Sequence, residues 1–138
     1  MMRTVSLVCC VLAQIPVAAT AAACNGANPT ITSVWLHGVT RTPYLDRYHL
    51  KATVTNLGNQ AQAGNVLQFV DVIQYGGRLD DRGVPPLAPG QSYTISYTWP
   101  RSAEAGKLTS PLDFRMRFVA PLPAANCNPS NGSAAITV

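Results

Sequence analysis

The sequence predicts an all-β fold, an antiparallel β-sandwich of about seven short strands preceded by a signal peptide. Three observations predict it. From Thr30 onward apolar and polar residues alternate with a period of two; Gly, Pro and Asn clusters cut the chain into short segments; and 138 residues leave room for one modest core.

Residues 1–23 read as a secretory leader. Arg3 supplies the basic start, Val5, Leu7, Val8, Val11, Leu12 and Ile15 the apolar centre, and Ala21-Ala22-Ala23 the small residues before a cleavage point. Gln14 and Pro16 interrupt the stretch, which falls short of the roughly 20 unbroken apolar residues that cross a bilayer. Cleavage after Ala23 leaves a single domain over residues 24–138, and removal of Arg3 lowers the net charge from +4 to +3. The basic residues form no run and do not interleave with aromatics, so nucleic acid is not the expected partner.

The first strand is expected over Ile31 to Val39. In the second, Tyr48, Leu50, Ala52 and Val54 alternate with His49, Lys51, Thr53 and Thr55, so one face is apolar and the other wet. Asn56-Leu57-Gly58-Asn59 ends it, and Val66 to Tyr75 is the next candidate strand. Gly76-Gly77 then opens a stretch, with Asp80 and Asp81, that reads as a loop running to Pro85-Pro86. Tyr93, Ile95, Tyr97 and Trp99 alternate with Ser92, Thr94, Ser96 and Thr98. Ser102-Ala103-Glu104-Ala105 hints at a helical turn. Leu112, Phe114, Met116 and Phe118 alternate with Asp113, Arg115 and Arg117, and Ala134 to Val138 closes the chain. Strands at this spacing fit a sandwich of immunoglobulin type, with a small barrel as the alternative.

Of four cysteines, Cys9 and Cys10 lie in the leader. Cys24 and Cys127 remain, and in an exported protein their pairing as a disulfide is the expectation. The bond would close a loop of roughly 100 residues, worth on the order of 4 to 5 kcal/mol in the chain-entropy model. The rival is a lipid anchor: Ala21-Ala22-Ala23-Cys24 could be a lipoprotein cleavage site with Cys24 acylated, although the usual Leu three residues earlier is missing.

Two motifs carry a family resemblance. One is Val54-Thr55-Asn56-Leu57-Gly58-Asn59-Gln60-Ala61-Gln62-Ala63-Gly64-Asn65, a strand ending in Thr-x-Asn-x-Gly and followed by a short Ala-Gly loop. The other is Leu87-Ala88-Pro89-Gly90, a turn that launches the alternating strand ending at Trp99. Over roughly Thr30 to Phe118 the chain resembles the CARDB domain, the cell-adhesion-related module found in bacteria. The resemblance implies an immunoglobulin-like sandwich acting as an extracellular adhesion, spacer or substrate-contacting module. The chain departs from the family where Pro121-Leu122-Pro123-Ala124-Ala125 and the residues up to Ser130 replace the usual Asp-, Glu- and Asn-rich segment. Read without the family, Asn56 and Gly58 suit a tight turn with left-handed backbone, and Pro89-Gly90 suits a type II turn, so these residues are architectural.

No catalytic constellation is expected: the six acids are dispersed, and no serine stands in a nucleophile elbow. Nor is any cofactor or metal. His37 and His49 lack a third ligand and read as solvated or hydrogen-bonded surface residues. Asp80 and Asp81 lack the periodicity of a calcium loop and are flanked by Arg78 and Arg82, which points to local ion pairing. Trp35, Tyr44, Tyr75 and Trp99 could form an aromatic platform for sugars or a peptide; Trp99 continues an apolar face and belongs to the core, whereas Trp35 and Tyr44 are candidate ligand contacts, with packing between the sheets as the alternative for Trp35. Arg115 and Arg117, at alternate positions facing out, form a small cationic stripe and complete the candidate set. Asn131-Gly132-Ser133 matches a glycosylation sequon but reads first as a turn. The expected partner is an extracellular or envelope protein or glycan.

Overall fold

The computed structural model describes residues 25–104, 108–120 and 132–138. Residues 1–23, the expected disulfide partners Cys24 and Cys127, and Asn131 lie outside the described residues. Among the described residues the chain forms seven strands in two antiparallel sheets: β1 (Pro29–Arg41), β2 (Leu45–Asn56), β3 (Leu67–Gln74), β4 (Gly77–Val84), β5 (Ser92–Ser102), β6 (Pro111–Ala120) and β7 (Ser133–Thr137). One sheet has the order β1-β2-β5 and the other β4-β3-β6-β7. The expected immunoglobulin-like sandwich is present, with the fourth strand paired to β3 rather than to β5.

The period-two faces predicted from the sequence make the core. Tyr48, Leu50, Ala52 and Val54 of β2 and Ile95, Tyr97 and Trp99 of β5 face Val70 and Val72 of β3 and Leu112, Phe114 and Met116 of β6. Trp99 is buried as expected, its ring 6.0 Å from that of Tyr48, and the Arg101 guanidinium lies 4.6 Å above it. Tyr93, at the start of the same alternation, is 41% exposed and belongs to the sandwich end rather than the core. In β1 the apolar spacing is uneven, and two bulges, between Ile31 and Ser33 and between Leu36 and Gly38, keep Ile31, Val34 and Val39 turned inward.

Two expectations need correction. The stretch holding Asp80 and Asp81 is not a loop but strand β4. Gln74 and Gly77 pair across a two-residue turn in which Tyr75 (φ 48°) and Gly76 (φ 79°) both have left-handed backbone, the requirement of a hairpin turn of type I′. Its charged residues are tolerated in a strand because partners stand on β3 and β6. Likewise Ser102 ends β5 instead of starting a helical turn, and among the described residues Ala103 and Glu104 form a turn beyond it, Ala105 lying outside them.

Both family-like motifs meet at one end of the sandwich. Asn56, fully buried, accepts from the amides of Asn28 (2.8 Å) and Gly58 (3.0 Å) through Oδ1 and donates through Nδ2 to the carbonyls of Gln60 (2.8 Å) and Leu87 (3.0 Å). Its main chain also bonds Gly90 and Gln91. One side chain thus fixes the entry to β1, the β2–β3 loop and the turn before β5. That turn closes from the Gln91 amide to the Ala88 carbonyl, with Gly90 at φ 75°, as the type II reading requires. Gly58 serves differently from the expectation. Neither it nor Asn56 has left-handed backbone; a Cβ on Gly58 would sit 1.9 Å from the Gly26 carbonyl oxygen, so the need is for close approach.

Candidate functional site

The sandwich separates the sequence-derived candidates instead of gathering them. Trp35 lies on the outer face of the three-stranded sheet. Tyr44 lies in the β1–β2 loop, with its ring 88% exposed while its carbonyl is held by the Ala103 amide. Arg115 and Arg117 lie on the outer face of the four-stranded sheet.

On that second face the cationic stripe gives way to an ion-pair cluster. Asp71 stands opposite Asp81 on one side and Arg115 on the other. Arg117 Nε donates to Asp71 Oδ2 at 2.8 Å and its Nη2 to Asp81 Oδ2 at 3.0 Å, while the guanidinium stacks 4.7 Å above the Phe69 ring. The hydrogen bond to Asp71 holds the Arg117 guanidinium charged beyond its ordinary range, against the cost of desolvation. Arg117 is therefore a bound structural cation rather than a solvated one. Arg78 approaches the same carboxylates at 3.9 and 3.8 Å. Buried Asp71 and half-exposed Asp81 face each other across β3 and β4, and these arginines offset the repulsion between the two like charges.

At the β4 edge, Arg82 pairs with Asp80 at 2.8 Å and donates through Nε to the Ser96 carbonyl at 3.0 Å, bridging the two sheets. The expectation of local ion pairing around Asp80 and Asp81 holds in this sense, with Asp71 added from β3. Behind this bridge the Tyr97 hydroxyl is pushed above its ordinary range by burial, and then by the Asp80 carboxylate.

The outer face of the three-stranded sheet is built otherwise. Its residues come from three rows set by the strand register: Trp35, Lys51 and Ser96; Gly38, His49 and Thr98; Thr40, Arg47 and Pro100. Directly paired residues share a face, so the outward alternation of β2 fixes that of both neighbours. Hydroxyls cover the rest: Thr53 bonds Thr94 at 3.0 Å, Thr55 bonds Ser92 at 2.7 Å and Thr32 at 3.1 Å. His49 spends both ring nitrogens on hydroxyls, Nε2 on Thr40 at 2.8 Å and Nδ1 on Thr98 at 3.2 Å. His37 is exposed in the second bulge of β1, out of register with His49. Both fit the surface reading made from the sequence.

The sequence reading missed the row Arg47, His49, Lys51. The signal was present, since these are the wet positions of the clearest alternation in the chain; what was absent was the knowledge that Trp35 stands beside Lys51. Tyr75, one of the four aromatics of the candidate platform, is 82% exposed and sits in the left-handed first position of the β3–β4 turn, away from Trp35 and Tyr44.

Among the described residues no helix is long and apolar enough to cross a membrane. A family model, CARDB, matches residues 36–113. No curated protein matches the chain.

Proposed function

The chain belongs to the CARDB family, an adhesion-related group of bacterial modules, and from that premise we propose a non-catalytic binding module that works outside the cytoplasm on a protein or carbohydrate partner. The observation that carries this reading is the contrast between its polar and aromatic groups. Most of the acids and histidines that could do chemistry are tied up in structural bonds, Asp71 and Asp81 by Arg117, Asp80 by Arg82, Asp46 by Arg41 and His49 by two threonines. Trp35, by contrast, stands exposed on a paired strand and Tyr44 on a short loop where its carbonyl is held by the Ala103 amide, which is how a rigid recognition surface is made. Saturable binding of the purified protein to envelope proteins or glycans, weakened by Trp35→Ala or Tyr44→Ala, is the expected result. Turnover of a substrate that survives both substitutions would refute it.

Export through the leader at residues 1–23 and a Cys24–Cys127 disulfide belong to the same proposal. The strand directions support the bond: the entry to β1, the end of β6 and the start of β7 all lie at the sandwich end that carries Asn56, so the segments holding the two cysteines leave from the same end. The exported protein should have the mass of residues 24–138 less two hydrogens. Acyl mass on Cys24, or two thiols alkylated without reduction, would replace the bond with the lipid anchor or with free cysteines. The uncharged edge strand β7, which among the described residues carries neither proline nor bulge, favours a second reading as an assembly subunit that pairs by strand addition. Such a subunit would run as an oligomer.

A further inference from the structure

All six acidic residues of the chain are described, and their distribution is one-sided. Asp71, Asp80, Asp81 and Asp113 belong to the four-stranded sheet, Glu104 to the β5–β6 turn, and Asp46 is buried under Arg41. None stands on the outer face of the three-stranded sheet, where the charged residues are Arg47 and Lys51, two residues either side of His49 on the central strand. At about 6.7 Å per two residues of strand, Arg47 and Lys51 are some 13 Å apart along one straight row. Among the described residues neither makes an ion pair, whereas Arg41, Arg78, Arg82 and Arg117 each do.

The remaining chemistry of the face is that of a surface for sugars. Trp35, 37% exposed, stands next to Lys51 in register, and Gly38, where a Cβ would meet nothing, leaves open space beside His49 on the β1 side of the face. Threonine and serine hydroxyls on all three strands can both donate and accept, as sugar hydroxyls require. Resting on the reading of the chain as a binding module, we propose that this face binds an anionic polysaccharide lying along β2. Trp35 stacks on a sugar ring, Arg47 and Lys51 meet anionic groups about two or three sugars apart, and the flanking hydroxyls bond the ring hydroxyls. A protein partner is disfavoured because the face offers one aromatic and no apolar cluster around it, where protein interfaces need a desolvated core.

The test uses the purified protein and affinity electrophoresis through gels containing polygalacturonate, fully methyl-esterified pectin or polyglutamate. Polygalacturonate should retard the protein. The ester, which keeps the sugar but loses the charge, and polyglutamate, which keeps the charge but offers no ring, should each retard it at least about tenfold less, the equivalent of one lost 1.4 kcal/mol contact. Trp35→Ala should weaken the retardation by about the same factor, and Arg47→Gln with Lys51→Gln should abolish it together with its salt dependence. Arg115→Gln, on the other sheet, should leave it unchanged. These side chains point outward, and unchanged urea midpoints will show that the variants fold. Equal retardation by polyglutamate, indifference to Trp35→Ala, or loss through Arg115→Gln would overturn the assignment. Absence of retardation together with saturable binding to an envelope protein would overturn it while leaving the binding-module reading intact; absence of both would remove the two together.

Discussion

Replacing Asn56 with alanine removes four hydrogen bonds from a residue with no exposed surface. At a net 0.5 to 1.5 kcal/mol for each, the bonds are worth about 2 to 6 kcal/mol. The partners differ in how they recover. The amide of Gly58 and the carbonyl of Gln60 lie in a loop that water can reach once the side chain is gone, whereas the Leu87 carbonyl belongs to a buried residue. The expected loss is therefore about 4 kcal/mol, a large share of the roughly 5 to 15 kcal/mol typical of a domain. Urea unfolding followed by tryptophan fluorescence, read as a change in midpoint at constant slope, measures it. Asn56→Asp sharpens the test because it keeps Oδ1 but turns a second oxygen toward the carbonyls of Gln60 and Leu87. A buried carboxylate so placed has its folded pKa raised above the unfolded value of about 3.9, so the variant is most stable below that pH and loses stability as pH rises through the folded value. A loss under about 1 kcal/mol for Asn56→Ala, or an Asn56→Asp variant indifferent to pH, would refute the view that this one side chain clamps the three segments.

Three further outcomes are expected. Tyr75→Asn should stabilise the β3–β4 hairpin by about 0.5 to 1 kcal/mol in urea unfolding, since asparagine adopts left-handed backbone more readily than a bulky ring. Asp71→Asn should cost about 1 to 2 kcal/mol, discounted because Arg117 keeps a third of its side chain in water, and a double-mutant cycle with Arg117→Gln should recover a coupling of about 1 kcal/mol. Tyr97, whose folded pKa is raised above 10.0 by burial and by Asp80, contributes stability that is complete below that value and falls as pH climbs through the folded one; alkaline titration of stability, repeated in Tyr97→Phe, should show the fall only in the parent.

Much of the fold was legible because its information is local. The alternation in β2, β5 and β6 names the core almost residue by residue, and Asn56 and Pro89-Gly90 announce their turns by chemistry that needs no partner. Strand β4 was not legible for the opposite reason. Arg78, Asp80, Asp81 and Arg82 look like a solvated loop until Asp71 and Arg117, 36 residues or more from their furthest partners, are brought alongside. The candidate site suffered the same blindness. Arg117 reads as a solvated cation because its partner Asp71 lies 46 residues away, and the cations of β2 acquire meaning only when the bulge between Ile31 and Ser33 sets Trp35, rather than Leu36, on their side of the sheet.

Strands β1 and β7 both run from the Asn56 end of the sandwich toward the Tyr44 end. A pull applied through the residues before β1 and those after β7 would therefore act along the strands. The hydrogen bonds that join β1 to β2 lie perpendicular to that direction, so they would be loaded in shear and would have to fail together instead of unzipping one at a time. For an adhesion-related module, resistance to tension is set by this geometry and by the rate of unfolding, not by equilibrium stability.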